Sequence, residues 1–230
     1  VSPPDVPSID RPAVPMATAT AFTAIPLPLS GEDQARADLY ALLSRLLLAA
    51  PDGPLLDALA AADPVCAEGG DLALEQAWEQ LTLASGVMDP DAVLDEFDTL
   101  FISIGTPPVN PYGSRYLSGF MNDTPLAELR ADLARLGIQR APGVGESEDH
   151  LGSLCETMRV LAAGAPGIAR QPVARQQQFF ETHVAPWYAR CVADIASAEG
   201  ANYYRLVARL AGAFLDIEAE AFAVGAAVPD

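Results

Sequence analysis

An all-α fold, a helical bundle of about nine helices, is what this chain predicts, and three observations carry that expectation. Alanine and leucine dominate a composition that is 50% hydrophobic but only 7% aromatic, a balance that favours helix over sheet. Apolar residues recur at helical spacing in one stretch after another from Glu32 onward. No alternating run of strand length, Gly-rich hairpin or internal repeat interrupts them. At 230 residues the chain is long enough for one good-sized core, or for two small lobes sharing one.

The elements follow in order. Residues 1–30 are rich in proline and lack periodicity, so a disordered leader is expected there. Leu39, Leu42, Leu43, Leu46 and Leu47 form the first stripe, ended near Pro51 and Gly53. A short second helix runs to Ala62, where Asp63-Pro64 stops it. After a Gly69-Gly70 break, Leu74, Ala77, Trp78 and Leu81 mark the third. Asp89-Pro90 is a start signal, a capping carboxylate followed by proline at the first helical position. Val93, Leu94, Phe97, Leu100, Phe101 and Ile104 then share one face. Pro107, Pro108 and Pro111 rule out helix just beyond Gly105, so residues 105–123 read as a rigid Pro/Gly-rich loop joining lobes 31–104 and 124–222. Further helices are expected from Thr124-Pro125 to Gly137, from about Glu148 to Ala163, from Gln171-Pro172 to the break at Pro186, from Trp187 to Ile195, and from about Asn202. Residues 223–230 read as a tail.

Charge and motifs narrow the function. Thirteen cationic residues, all arginine, stand against 31 acidic ones, for a net charge of −18. Such a surface repels nucleic acid and anionic lipid and attracts a basic ligand or peptide. Cys66, Cys155 and Cys191 are odd in number and far apart, with no CxxC, so neither a zinc site nor a disulfide framework is implied; no metal and no cofactor are expected. No apolar run approaches the length that spans a bilayer and no secretory signal is visible, which leads to an expected cytoplasmic location. The absence of lysine removes both a Walker A motif and Schiff-base chemistry, and GxSxG and HExxH are missing, so no catalytic residue is assigned.

Two constellations remain. Ser147 is placed to cap a helix, which would put Glu148 and Asp149 in its first turn beside the positive end of the dipole, with His150 next to them. The two acids and the histidine also suit an arginine-bearing ligand. The proline-stiffened loop holding Pro111, Tyr112, Ser114, Tyr116 and Phe120 is either a packed connector or a peptide-recognition surface, since rigid amphipathic rings cost little entropy to fix.

Taken in order, these residues resemble the TorD/DmsD family of cytoplasmic redox-enzyme maturation chaperones. The resemblance rests on Phe97, Leu100 and Phe101 followed by Tyr112, Gly113, Ser114 and Tyr116; on Glu148, Asp149 and His150 followed by Leu151 and Gly152; and on Phe179, Phe180, Pro186 and Trp187 ahead of Tyr203-Tyr204. The family often carries proline where this chain has Ser147. The resemblance implies a two-lobed helical chaperone without enzymatic activity. Its partner would be the twin-arginine signal peptide and core of a molybdenum-cofactor oxidoreductase before export. Peptide-binding roles would fall on Asp149, His150, Tyr112, Ser114 and Tyr116, with Glu148 and Pro111 in support. The alternatives are a non-catalytic helical assembly subunit docking a basic partner protein and, further off, a helical enzyme acting on a small molecule.

Overall fold

The computed structural model describes residues 29–65, 72–103, 105–141 and 145–226. Expectations that fall on residues 1–28, Cys66, the Gly69-Gly70 break, Ile104 and the last four residues lie outside them. Among the described residues there are ten α-helices and no strand. These are α1 Gly31–Leu48, α2 Gly53–Ala60, α3 Leu72–Ser85, α4 Pro90–Phe97, α5 Gly113–Ser118, α6 Thr124–Arg135, α7 Leu151–Ala163, α8 Val173–His183, α9 Tyr188–Ser197 and α10 Tyr203–Ala226.

Local chemistry sets most of the starts. The Ser30 hydroxyl accepts from the Asp33 amide, the Asp52 carboxylate from Leu55, and the Asp89 carboxylate from Asp91, so each helix has one of its orphan N–H groups satisfied by a side chain. Gly137, at φ +71°, supplies the left-handed residue that ends α6. α4 departs from the expected stripe. It passes directly into a π-turn at Asp98–Ile102, and the buried face is Val93, Phe97, Leu100 and Phe101, while Leu94 lies at its edge and is 46% exposed. Widening the turn swings Leu100 and Phe101 together into the core.

α7 is the central helix, buried on nearly every side, from Leu151 and Leu154 through Cys155, Met158 and Leu161. It runs against α1 at a distance that Gly152 makes possible. A Cβ at this position would sit 2.8 Å from Leu48 Cγ and 3.2 Å from Leu47 Cβ. Gly152→Ala is therefore expected to cost about 1–3 kcal/mol through overpacking, read as a drop in thermal midpoint of about 2–4 °C per kcal/mol. An unchanged midpoint would show that α1 shifts freely.

α10 closes the bundle. The Glu96 carboxylate receives the amides of Asn202, Tyr203 and Tyr204 at 2.8–3.1 Å, filling the helix N-terminus with a fixed negative charge. Phe97, Phe101 and Tyr204 meet just below it, with ring centroids 5.1–5.5 Å apart. The buried apolar residues form one cluster reaching from Tyr40 to Phe222. Among the described residues no helix is long and apolar enough to cross a membrane.

Candidate functional site

The proline-rich segment after the π-turn is held at both ends. The Val109 amide donates to the Leu100 carbonyl at 3.1 Å, and Val109 itself is buried. Further on, the Leu151 amide donates to the Pro111 carbonyl and the Gly113 amide to the Asp149 carbonyl, both at 2.8 Å. This antiparallel pairing of Tyr112 with His150 brings the two segments singled out in the sequence together. The loop is not wholly irregular, because α5 forms within it.

α5 is seated by Asp149. Its Oδ2 accepts the Ser114 amide at 2.9 Å and the Ser114 hydroxyl at 2.5 Å, and its Oδ1 accepts the Ser147 hydroxyl. Asp149 is 3% exposed and Ser114 fully buried. Three donors around one carboxylate are what a buried charge requires when no cation pairs with it.

The expected cap was wrong in register. α7 begins at Leu151 and its N-cap is His150, whose Nδ1 accepts the Gly152 amide at 3.0 Å. Ser147, Glu148 and Asp149 form the preceding turn, closed by the His150 amide on the Ser147 carbonyl. The Ser147 hydroxyl is turned inward to Asp149 and not toward the helix amides, which explains the shift. Burial, which outweighs the opposing pull of Glu146 and Asp149, lowers the His150 pKa to about 4. The imidazole is therefore neutral at pH 7, and its Nδ1 is free to accept.

The two predicted tyrosines lie nearer the surface. Tyr112 is half-buried, packs edge-on to His150 at 5.0 Å and donates its hydroxyl to Glu146. Tyr116 is half-buried, stacks on Trp187 at 5.3 Å and donates to Asp194 at 2.8 Å. Burial is the main cause that raises both phenols above their ordinary pKa, joined by Glu146 at Tyr112 and by Cys191 and Asp194 at Tyr116. Pro111 is buried. Trp187 is itself fixed by its indole N–H on the His183 carbonyl at 2.7 Å, and His183 is bonded to Asp132, also at 2.7 Å. Leu117 near the end of α5, and Phe120 and Met121 just past it, are exposed.

Glu148 differs from its neighbour. Its Oε2 accepts two bonds from Arg130, at 2.9 and 2.8 Å, and Arg140 approaches Oε1 at 3.8 Å. Partial burial works to raise its pKa, but the Arg130 hydrogen bonds and the two positive charges bring it below the ordinary glutamate value. It stands on the rim of a cavity of about 270 Å3. Leu48, Leu133, Ile138, Val160 and Ile168 provide the apolar lining. A crevice of about 40 Å3 between Leu117 and Glu128 leads down to Ser114 and Asp149. Arg130, Arg140, Glu146 and the apolar cavity were not identified from sequence. The three charged residues come from α6 and the segment behind it, and the cavity wall adds Leu48 of α1, Val160 of α7 and Ile168; no spacing rule links these to the start of α7.

No curated protein sequence matches the chain. The model of one family, described as nitrate reductase delta subunit, does match, over residues 67–193. That span covers more than half of the chain. It runs through the π-turn, the proline-rich loop, the Asp149 clamp and the Trp187 support, all the parts that build this face. The chain belongs to the nitrate reductase delta subunit family, whose members are TorD-type redox-enzyme maturation chaperones.

Proposed function

We propose that this protein is a cytoplasmic, non-catalytic chaperone that binds the twin-arginine signal peptide of a nitrate reductase catalytic subunit, a molybdoenzyme, and assists its maturation before export. Family membership supports the chaperone role in molybdoenzyme maturation. The observation that carries the finer reading is the Asp149 clamp. By fixing the Pro111–Ser114 segment on the start of α7, it holds Tyr112, Tyr116 and Glu148 in one rigid frame. In this reading Asp149, His150, Ser114 and Pro111 are the buried frame, and Glu148 with the two tyrosines meets the peptide. An acidic chain presenting a carboxylate and aromatic rings complements a segment that is cationic and then apolar.

Calorimetric titration of a twin-arginine leader and of its Lys-Lys version tests the proposal. Wild type should prefer Arg-Arg, because a guanidinium grips a carboxylate with two donors and an ammonium does not. Glu148→Gln should weaken the Arg-Arg peptide about ten- to a hundredfold. Equal affinity for both peptides, together with an indifferent variant, would refute the reading. Stoichiometric retention of the chain in the mature enzyme would favour a structural subunit instead.

A further inference from the structure

We propose that Arg130 and Arg140 are resident stand-ins for the two arginines of the ligand, keeping Glu148 occupied until a segment with paired arginines and an adjoining apolar stretch displaces them into solvent. The proposal rests on the signal-peptide reading above.

Three features point to it. The first is geometric: each oxygen of Glu148 faces a different guanidinium, Oε2 receiving Nε and Nη2 of Arg130 and Oε1 facing Nε of Arg140. One carboxylate here already accommodates two guanidinium groups, one on each oxygen. The second is location. This carboxylate stands on the rim of the 270 Å3 cavity lined by Leu48, Leu133, Ile138, Val160 and Ile168. A ligand arginine seated on Glu148 would place the residues after it over apolar surface. The third is lability. The Arg130 and Arg140 side chains are 50% and 41% exposed, whereas Glu148 is 15% exposed. Ion pairs held by exposed arginines contribute little net stability and exchange readily. Exchange buries no new charge, since one guanidinium replaces another on a carboxylate that is never left bare. Arg140 has one further tie, from its Nη1 to the Glu146 carbonyl at 3.1 Å, which would break with it.

The prediction runs against ordinary charge-pair reasoning, in which removing a partner of a binding residue harms the site. Arg130→Gln/Arg140→Gln is expected to bind the Arg-Arg leader peptide about three- to tenfold more tightly than wild type. Arg205→Gln/Arg209→Gln, two exposed arginines on α10, changes the net charge by the same amount and should leave affinity within about twofold at physiological salt, where distant charges are screened. Ser153→Leu places a side chain into the cavity and should weaken binding about tenfold if the apolar stretch lies there. All variants are titrated with the same peptide after their melting curves are matched to wild type. Unchanged or weaker binding by the Arg130/Arg140 variant overturns the inference while leaving the chaperone reading intact, and so does equal tightening by the α10 control. No binding by wild type or by either double variant overturns the chaperone reading and the inference together. Binding by the Arg130/Arg140 variant alone would support the stand-in role in its strongest form.

Discussion

Replacing Glu218 with alanine is expected to remove about 3–5 kcal/mol of stability, the loss typical of a buried ion pair with one partner deleted. Glu218 lies on α10 and is 2% exposed. It receives Nε and Nη2 of Arg36, both at 2.7 Å, and the Tyr40 hydroxyl at 2.9 Å. Arg36 also donates to Gln176 at 3.3 Å and lies over the Phe222 ring at 5.5 Å. The network thus joins α1, α8 and the far end of α10. Burial is the largest influence and works against the Arg36 charge, but the Glu218 hydrogen bonds and the charges of Glu218 and Asp33 together hold the guanidinium above its ordinary pKa. Burial first, with Glu218 adding to it, keeps the Tyr40 phenol protonated far above its usual range. Without the carboxylate, Arg36 and the Tyr40 hydroxyl lose their shared acceptor. With total stability of about 5–15 kcal/mol for a domain, that loss is a large part of the whole. Urea unfolding of wild type, Glu218→Ala and the double variant Arg36→Met/Glu218→Leu separates the cost of an orphaned charge from the worth of the pair. The double variant should recover part of the loss, because buried pairs replaced by apolar residues are often neutral, while the buried Tyr40 hydroxyl still lacks its acceptor. A loss below about 1 kcal/mol in Glu218→Ala would mean that water already reaches the network.

What could be read from the sequence was what local chemistry decides. Asp89-Pro90, Thr124-Pro125, Gly137 and Pro186 mark helix boundaries within a few residues of where they fall. The stripes on α1, α3 and α10 pointed to core residues such as Leu43, Leu81 and Phe214. What escaped depends on contacts across the chain. α5 is only six residues long and sits among prolines and glycines, so its sequence carries no periodic signal; Asp149, 35 residues away, supplies its first bonds. Glu148 and Asp149 are adjacent carboxylates with opposite surroundings, one beside two arginines and one sealed among serines. No local rule tells which neighbour turns inward. The same holds for Glu218, whose partner Arg36 lies 182 residues distant. Ser147, expected to cap α7, instead donates to Asp149, and the capping role passes to a histidine. That substitution required knowing that His150 is buried and neutral.

Asp149→Ala is expected to lower stability by about 2–4 kcal/mol and to loosen the loop, while Asp149→Asn costs about 1 kcal/mol or less. The difference follows from the donors around this carboxylate. Alanine leaves the buried Ser114 amide without an acceptor and frees the Ser114 and Ser147 hydroxyls, and each stranded buried donor costs about 1–3 kcal/mol. Asparagine keeps a carbonyl oxygen for the two Ser114 donors, and its amide donates to the Ser147 hydroxyl, which rotates to accept. Hydrogen exchange at the Gly113, Ser114 and Leu151 amides reports the clamp directly. These amides should lose protection in Asp149→Ala and keep it in Asp149→Asn. Peptide affinity then distinguishes two roles. If Asp149 acts by positioning the Tyr112–Tyr116 face, Asp149→Asn binds the Arg-Arg leader within about threefold of wild type, and Asp149→Ala binds it at least about tenfold more weakly. Its burial and its full set of internal donors favour that outcome. If Asp149→Asn instead loses tenfold or more with its amide protection intact, the negative charge itself meets the ligand, reached through the crevice beside Leu117. Asp149 would then be a contact residue and not a strut.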